Sequence, residues 1–256
     1  MSVPFSPSAG DLVRSLKSAL AYRRERKNPL VVRGDVDVRP SWAMVFRGPL
    51  PQALVDHFGS ASNERLFGWV RDAGGVEVTS QLVRLRLRGN ARSPVIVDAI
   101  DVDITRRVKV EWHTEVRYPT AGATSAEMLW VSLENDSDLA AKLMTLDGGA
   151  PTFHPESFAG SGRTFKLSNS DEETVLLFVK GASDRLVEHE VRVTYHVGDR
   201  QGFVTWPDHR KAGRLRLAAH SLPRTVAKVW CWGELEGSGP HFVPSDEDEI
   251  MAKLLG

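Results

Sequence analysis

The sequence predicts a mainly β fold: an antiparallel β-sandwich of immunoglobulin-like architecture with a helical extension at one end and a helix at the other. From Val76 onward, apolar residues recur at every second position, which is the period of a half-buried strand. Short segments rich in Gly, Pro, Asn, Asp and Ser separate these runs, without helical crossovers between most of them. The stretch "VRLRLRGN" (83–90) alternates three arginines with aliphatic residues, as a strand with one face toward water does.

The strands of this part are bounded by turn-forming residues, and "GDRQ" (198–201) is the clearest hairpin turn. Eight strands are expected here: 76–88, 94–106, 110–118, 127–134, 163–168, 173–180, 187–197 and 201–206. A short helix is predicted over "DSDLAAKLM" (136–144), between two of these strands.

The N-terminal part has helical and strand patterns. A helix is expected over 11–27, capped by Asp11 and ended before Pro29, with a strongly basic last stretch "YRRERK" (22–27) that suits a helix C-terminus. Its apolar stripe is formed by Leu12, Leu16 and Leu20. Short strands at 30–38 and 42–46 and a helix at 62–75 follow, and in this helix Leu66, Trp69 and Val70 share one face.

The C-terminal part predicts a late strand over 226–237 and a helix over "SDEDEIMAKLL" (245–255), whose first turn is acidic. The expected organisation is therefore an N-terminal extension (1–75), the sandwich (76–210), and a C-terminal strand and helix packed on the sandwich (211–256).

The amino-acid composition argues against several classes of function. The 256 residues contain 33 Lys+Arg and 33 Asp+Glu, a formal net charge of +0, whereas proteins that bind mainly nucleic acid usually carry a basic excess. The single cysteine, Cys231, excludes an intramolecular disulfide and a multi-cysteine zinc site. No secretory signal pattern and no membrane-spanning apolar run is present, so we expect a soluble cytoplasmic protein, not an integral membrane protein.

Three stretches together resemble a family of uncharacterised actinobacterial β-sandwich proteins: "LFGWVRDAGGVEVTSQLVRLRLRGNARSPVIVDAIDV" (66–102), "VRYPTAGA" (116–123) and "EVRVTYHV" (190–197). The shared pattern covers roughly residues 62–206. The resemblance implies the fold and no activity, because the family has no assigned one. Many similar proteins carry membrane-spanning segments before this module, where this chain has a basic amphipathic helix.

A metal or acid–base site is one hypothesis. On a strand, Glu111, His113 and Glu115 of "EWHTEVR" (111–117) share a face, and carboxylates beside an imidazole suit a metal or proton transfer. His196 on the strand 187–197 joins them if the two strands are neighbours. The alternative is a water-facing row of cross-strand ion pairs.

Three further features have structural interpretations. The row Arg84, Arg86 and Arg88 is read as a water-facing face whose charge is compensated by acids of the following strand, with Arg86 opposite Asp98 in one register. The glycine-rich "AGSGRT" (159–164) lacks the full phosphate-loop motif and is read as a flexible loop. Trp112 and Trp130 are expected in the core.

The leading hypothesis is a non-catalytic interaction or scaffold module without a cofactor, whose partner is another protein or a second copy of the chain. Its candidate contact residues lie in the N-terminal helix: Leu12, Leu16, Leu20, Arg23, Arg24, Arg26 and Lys27. One alternative is a metal-dependent enzyme or ligand-binding sandwich using the His/Glu face. The other is a peripheral protein that contacts an anionic membrane surface through the basic helix.

Overall fold

The structure is a computed structural model that describes ten ranges of the chain. These are residues 28–39, 41–56, 62–118, 126–134, 138–147, 150–181, 185–208, 214–218, 228–235 and 238–245. The predicted helix over 11–27, with all seven candidate contact residues, lies outside the described residues. So does the predicted helix over 245–255, except Ser245, which ends a strand. Among the described residues, no helix combines the length and apolar character that a membrane crossing requires.

Two β-sheets make up most of the described chain. Sheet I contains, in spatial order, β1 (Leu30–Asp37), β4 (Ser80–Gly89), β11 (Glu172–Lys180), β7 (Ala126–Ser132), β8 (Lys142–Asp147) and β9 (Ala150–Ser157). Sheet II contains, in order, β10 (Phe165–Leu167), β5 (Val95–Val108), β12 (Leu186–Val197), β14 (Leu215–Ala218), β3 (Val76–Val78), β2 (Trp42–Phe46), β6 (Thr114–Tyr118), β15 (Lys228–Leu235) and β16 (Ser238–Ser245), with β13 (Arg200–Trp206) also paired to β12.

The hydrophobic core lies between the sheets and is built by strict alternation. In β4, Val83, Leu85 and Leu87 are fully buried, while the arginines between them are exposed. From the opposite sheet, Val191 and Val193 of β12 join the same cluster. The mainly β fold and the sandwich architecture are thereby confirmed, whereas the immunoglobulin-like arrangement stays a prediction.

Most strand pairs are antiparallel, but three are parallel: β7 with β11, β3 with β14, and β6 with β15. A uniformly antiparallel sandwich was therefore the wrong expectation. Parallel neighbours cannot be joined by a hairpin, so their connections contain intervening strands. The chain leaves sheet I after β9 and returns to it with β11.

The predicted strand 76–88 is divided at Thr79, which adopts a φ of 71°. This backbone conformation is uncommon for a residue with a branched β-carbon. Residues before it form β3 in sheet II, and residues after it form β4 in sheet I. Thr79 is thus the point at which the chain passes from one sheet to the other.

The first strands belong to the sandwich itself. β1 pairs with β4 along its whole length, and β2 lies between β3 and β6. The two helices are α1 (Gln52–Val55) and α2 (Asn63–Asp72). α2 buries Leu66, Phe67 and Val70 on the core, and Gly74, at a φ of 99°, follows its end.

The helix predicted over 136–144 is wrong. Ala140 forms a bridge with Asp101 of β5, and Lys142–Asp147 form β8, which pairs with β7 and β9. Pairing with neighbouring strands outweighs the helix propensity of "LAAKLM". The strand β9 that follows was not predicted, because its two prolines, Pro151 and Pro155, break the strand pattern.

The backbone of β1 at Gly34 lies very close to a side chain of the opposite sheet. A β-carbon at Gly34 would lie 2.6 Å from the indole ring of Trp206 in β13. We expect Gly34→Ala to lower the free energy of unfolding by about 1–3 kcal/mol, because the ring must move. Chemical denaturation measures this.

Gly68→Ala is the matched control. A β-carbon there meets nothing within 4 Å, and the residue lies inside α2, so the change should stabilise by about 0.5–1 kcal/mol. Equal effects of the two substitutions would contradict the predicted contact.

Candidate functional site

An apolar row crosses the outer face of sheet I, on the side away from the core. Adjacent strands place its members opposite one another: Leu82 with Phe178, Phe178 with Trp130, and Met144 with Phe153. We call Leu82, Phe178, Trp130, Met144 and Phe153 the apolar belt. It crosses β4, β11 and β7 in register and is displaced by two residues on β8 and β9, because Trp130 is opposite Lys142 and the buried Met144 is opposite Met128.

The belt has an aromatic centre and an exposed end. The rings of Trp130 and Phe153 contact edge to face with centroids 4.7 Å apart. Phe153 is 48% exposed, and Leu82, Trp130 and Phe178 are half-buried. Leu176 extends the apolar surface along β11, one outward position before Phe178.

Charged side chains surround the belt. The Lys142 ammonium lies 5.7 Å from the centroid of the Trp130 ring and pairs with Asp138. Lys180 pairs with Glu134 at 3.2 Å. An apolar centre with a charged rim is the anatomy of a protein interface.

Sequence reasoning missed this surface and placed Trp130 in the core. The available signal was the unbroken apolar run "VLLFV" (175–179) in β11, where a strand with one wet face would alternate. Val175, Leu177 and Val179 are buried in the core, so Leu176 and Phe178 face outward. Trp112 is buried as predicted, in a smaller cluster with Val45 and Val76.

A cleft of about 540 Å³ opens where β7 and β11 diverge. The parallel pairing of these strands begins at Leu129 and Leu177, so the earlier part of β11 has separated from β7. Its lining combines apolar side chains, among them Leu129, Leu143, Phe158 and Phe165, with about as much polar surface. The rings of Phe158 and Phe165 stack with centroids 5.0 Å apart.

One wall of the cleft comes from the glycine-rich "AGSGRT" (159–164), through Gly162, Arg163 and Thr164. Internal hydrogen bonds shape this segment: the Ser161 hydroxyl donates to the carbonyl of Phe158 at 2.7 Å, and the Gly160 amide donates to the Ser157 hydroxyl at 3.0 Å. It is therefore an ordered turn at a cleft.

The structure does not bring together the four predicted metal ligands. His113 and Glu111 precede β6 and are exposed, with His113 Nδ1 2.9 Å from the Thr114 hydroxyl. Three strands, β14, β3 and β2, separate β6 from the β12 strand that carries His196. Among the described residues, no group of three or more His, Cys, Asp or Glu is placed to hold a metal ion.

Each of the remaining predicted ligands has a local partner. Glu115 is buried and accepts two hydrogen bonds from the Arg117 guanidinium, at 2.7 and 3.1 Å. His196 Nδ1 lies 2.8 Å from a carboxylate oxygen of Asp98. The row on β12 also pairs Arg192 with Asp103 at 2.7 Å. On β12 the charged face is compensated by cross-strand ion pairs, whereas Glu115 is buried and paired with Arg117 of its own strand.

The arginine row of "VRLRLRGN" also faces water. Its charge is compensated by acids of β1 and not, as expected, by acids of the strand that follows. Arg84 pairs with Asp37 and Arg86 with Asp35, both of β1. The expected contact of Arg86 with Asp98 is wrong, because β5 lies in the other sheet.

Two buried titratable groups lie in the sandwich interior. Glu77 of β3 is 3% exposed between Met44 and Leu217 on the neighbouring strands, and burial raises its pKa to about 7, against the attraction of Arg39. The Gln81 amide donates to its carboxylate at 2.6 Å. The fully buried ring of His189 has its pKa lowered by desolvation to about 4.

Comparison of the chain with protein-family models, with curated proteins and with solved structures gave no match.

The raised pKa of Glu77 predicts a pH-dependent stability. The unfolded chain ionises near pH 4.5 and the native chain only near pH 7, so the free energy of unfolding falls as pH rises through this window. Glu77→Gln cannot ionise and still accepts the Gln81 hydrogen bond. At pH 8 we expect it to be more stable than the native protein by about 3 kcal/mol, with the difference vanishing toward pH 4.5.

Urea denaturation of both proteins over pH 4.5–8 measures the difference. Glu115→Gln is the matched control, since it removes an acceptor from Arg117 and should destabilise at pH 8. A constant difference between Glu77→Gln and the native protein at all pH values would contradict the assignment.

Proposed function

We propose that the chain is a non-catalytic interaction module that binds an amphipathic helix of a protein on the outer face of sheet I. The observation that carries the proposal is the apolar belt, whose outward side chains on β4, β11 and β7 meet the exposed ring of Phe153 on β9. Large exposed apolar patches with polar rims are typical of interaction sites. We place the module in the cytoplasm as part of the same proposal.

The edge of sheet I supports docking on its face rather than pairing of a further strand. β9 is the last strand, and Pro151 and Pro155 offer no backbone N–H to an incoming strand. A helix presents side chains at i, i+3 and i+4 to an apolar surface and needs no backbone hydrogen bonds from it. The outward side chains of Leu82, Phe178, Trp130 and Phe153 suit such a partner.

Phe153→Asp tests the docking surface. We expect it to abolish retention of a partner protein from host extract, because it places a charge at the exposed end of the belt. Phe203→Asp is the matched control: Phe203 is 62% exposed, but lies on β13 of sheet II. In cross-linking mass spectrometry, we expect a helical segment of the retained protein to cross-link to residues around the belt.

Two results would overturn the docking proposal. One is that Phe153→Asp, Phe203→Asp and the native chain all retain the same set of proteins. The other is cross-links that avoid sheet I altogether. Thermal unfolding of each variant shows that a loss of retention is not a loss of fold.

The cleft supports a second candidate function, the binding of a small apolar molecule. Its volume of about 540 Å³ lies within the range of small-molecule pockets, and its lining is half apolar and half polar. Arg163, Thr164 and Thr174 stand beside the apolar lining residues and supply polar contacts for a head group, with Glu173 as the acidic member of the lining. A medium-chain fatty acid combines both characters.

Decanoate is the probe for this second function. We expect Thr164→Trp to weaken its binding at least about ten-fold in calorimetric titration, since the indole fills part of the cleft. Thr105→Trp, at another exposed threonine, should bind as the native protein does. Unchanged binding by Thr164→Trp, or no binding by the native protein, would exclude the cleft as a fatty-acid site.

A further inference from the structure

A polar cleft of about 530 Å³ lies at one end of sheet II. Strands β2, β3, β5, β12 and β14 and the segments that follow β2 and α2 enclose it. Its charged lining residues are Arg47, Arg106, Arg216 and Glu188, and we call it the arginine pocket. We propose that the arginine pocket binds a small soluble molecule that carries a diphosphate group. This binding is independent of the docking proposed for sheet I.

Three neighbouring strands carry a charged row into the pocket. Glu188 of β12 lies opposite Arg106 of β5 on one side and opposite Arg216 of β14 on the other. Residues that are directly opposite on antiparallel strands point to the same face of the sheet. The flanking residues Val187 and Leu217 are buried in the core, so the row lies on the outer face of sheet II.

A β-bulge in β5 turns Arg106 toward the pocket. Ile104, two residues earlier, packs against the core, and strict alternation would direct Arg106 to the same side. The register between β5 and β12 shifts here, because Thr105 is an extra residue that opposes no residue of β12. The Thr105 hydroxyl donates instead to the carbonyl of Glu188 at 3.1 Å. Bulges that redirect a side chain in this way are frequent beside active sites.

The positive charge of the pocket exceeds its negative charge. None of its three guanidinium groups forms a hydrogen bond or an ion pair with another described residue. Glu188 is the single acid of the lining, and Arg214, which lies outside the lining, is 3.7 Å from its carboxylate. By contrast, Arg84 on sheet I and Arg192 on sheet II each pair with an aspartate. A cleft lined by an excess of one charge concentrates ligands of the opposite charge.

The spacing of the guanidinium groups suits a diphosphate. Neighbouring strands are about 5 Å apart, so the backbones at Arg106 and Arg216 are about 10 Å apart on either side of β12. Arg47, directly after β2, lines the same space. Guanidinium groups bind phosphate oxygens through two parallel N–H bonds. A diphosphate offers oxygens to all three groups, whereas a single carboxylate has only two.

The floor of the pocket is apolar. Val76, Trp112 and Leu186 line it and are buried in the smaller apolar cluster of sheet II. Pro49 and Pro51 add rigid backbone to the wall. Water screens a charge beside such a floor less than it screens one on an open surface. The volume of about 530 Å³ lies within the range of small-molecule pockets and leaves room beside the diphosphate for the rest of a small molecule.

Calorimetric titration of the full-length chain with inorganic pyrophosphate tests the site. We expect Arg106→Gln and Arg216→Gln each to weaken binding at least about ten-fold, because each removes hydrogen bonds to a charged group. Glu188→Gln should tighten binding, since it removes the one acid of the lining. Arg200→Gln is the matched control: this exposed arginine lies beyond the far end of β12, and its loss should leave the affinity unchanged.

Thermal unfolding separates binding from folding. Arg106, Arg216 and Arg200 are all exposed, so the three glutamine variants should unfold at the temperature of the native chain without ligand. Pyrophosphate should raise the unfolding temperature of the native chain and of Arg200→Gln. It should raise that of the two pocket variants less, because a ligand stabilises the folded state according to its affinity.

Three results would overturn the inference. The first is that the native chain does not bind pyrophosphate. The second is that Arg106→Gln and Arg216→Gln bind it as the native chain or as weakly as Arg200→Gln. The third is co-sedimentation with vesicles of phosphatidylcholine and phosphatidic acid that pyrophosphate does not displace, which would assign the pocket to a lipid headgroup. The docking proposal has its own test, because Phe153 lies on sheet I.

Discussion

The pairing of β11 with two strands from different parts of the chain holds sheet I together. On one side it binds β4 over nine residue pairs, and on the other it binds β7 in parallel. Without it, the β1–β4 pair and the β7–β8–β9 group have no common strand. Its inward valines and leucine also contribute to the core against sheet II.

The same strand contributes to the apolar belt and to the cleft. Leu176 and Phe178 connect the two halves of the apolar surface, and the divergence of β11 from β7 opens the cleft. Met128 and Leu176 line the cleft and border the belt, so a molecule in the cleft and a helix on the face share contacts.

The local sequence pattern predicts the position of most strands, but it does not predict which strands pair with one another. The alternation in β4 and the turn before β13 identify these strands from a few residues, whereas the placement of β4 and β5 in different sheets depends on Thr79 and on strands about ninety residues away. The apolar belt also depends on strand pairing. The sequence predicts a core position for Trp130, and only its pairing with Phe178 shows that it lies on the outer face. Likewise, Glu111, His113 and Glu115 share a face only on a regular strand, and β6 begins after His113.

The late position of β11 in the chain also affects folding during synthesis. β4 leaves the ribosome more than eighty residues before its partner, with Val83, Leu85 and Leu87 lacking the strand that later lies beside them. Long separations between paired strands slow folding and leave apolar edges open to wrong neighbours. The arginines between these residues pair with acids of β1, which precedes β4 in the chain, and charged side chains of this kind disfavour pairing of the open edge of β4 with a wrong strand.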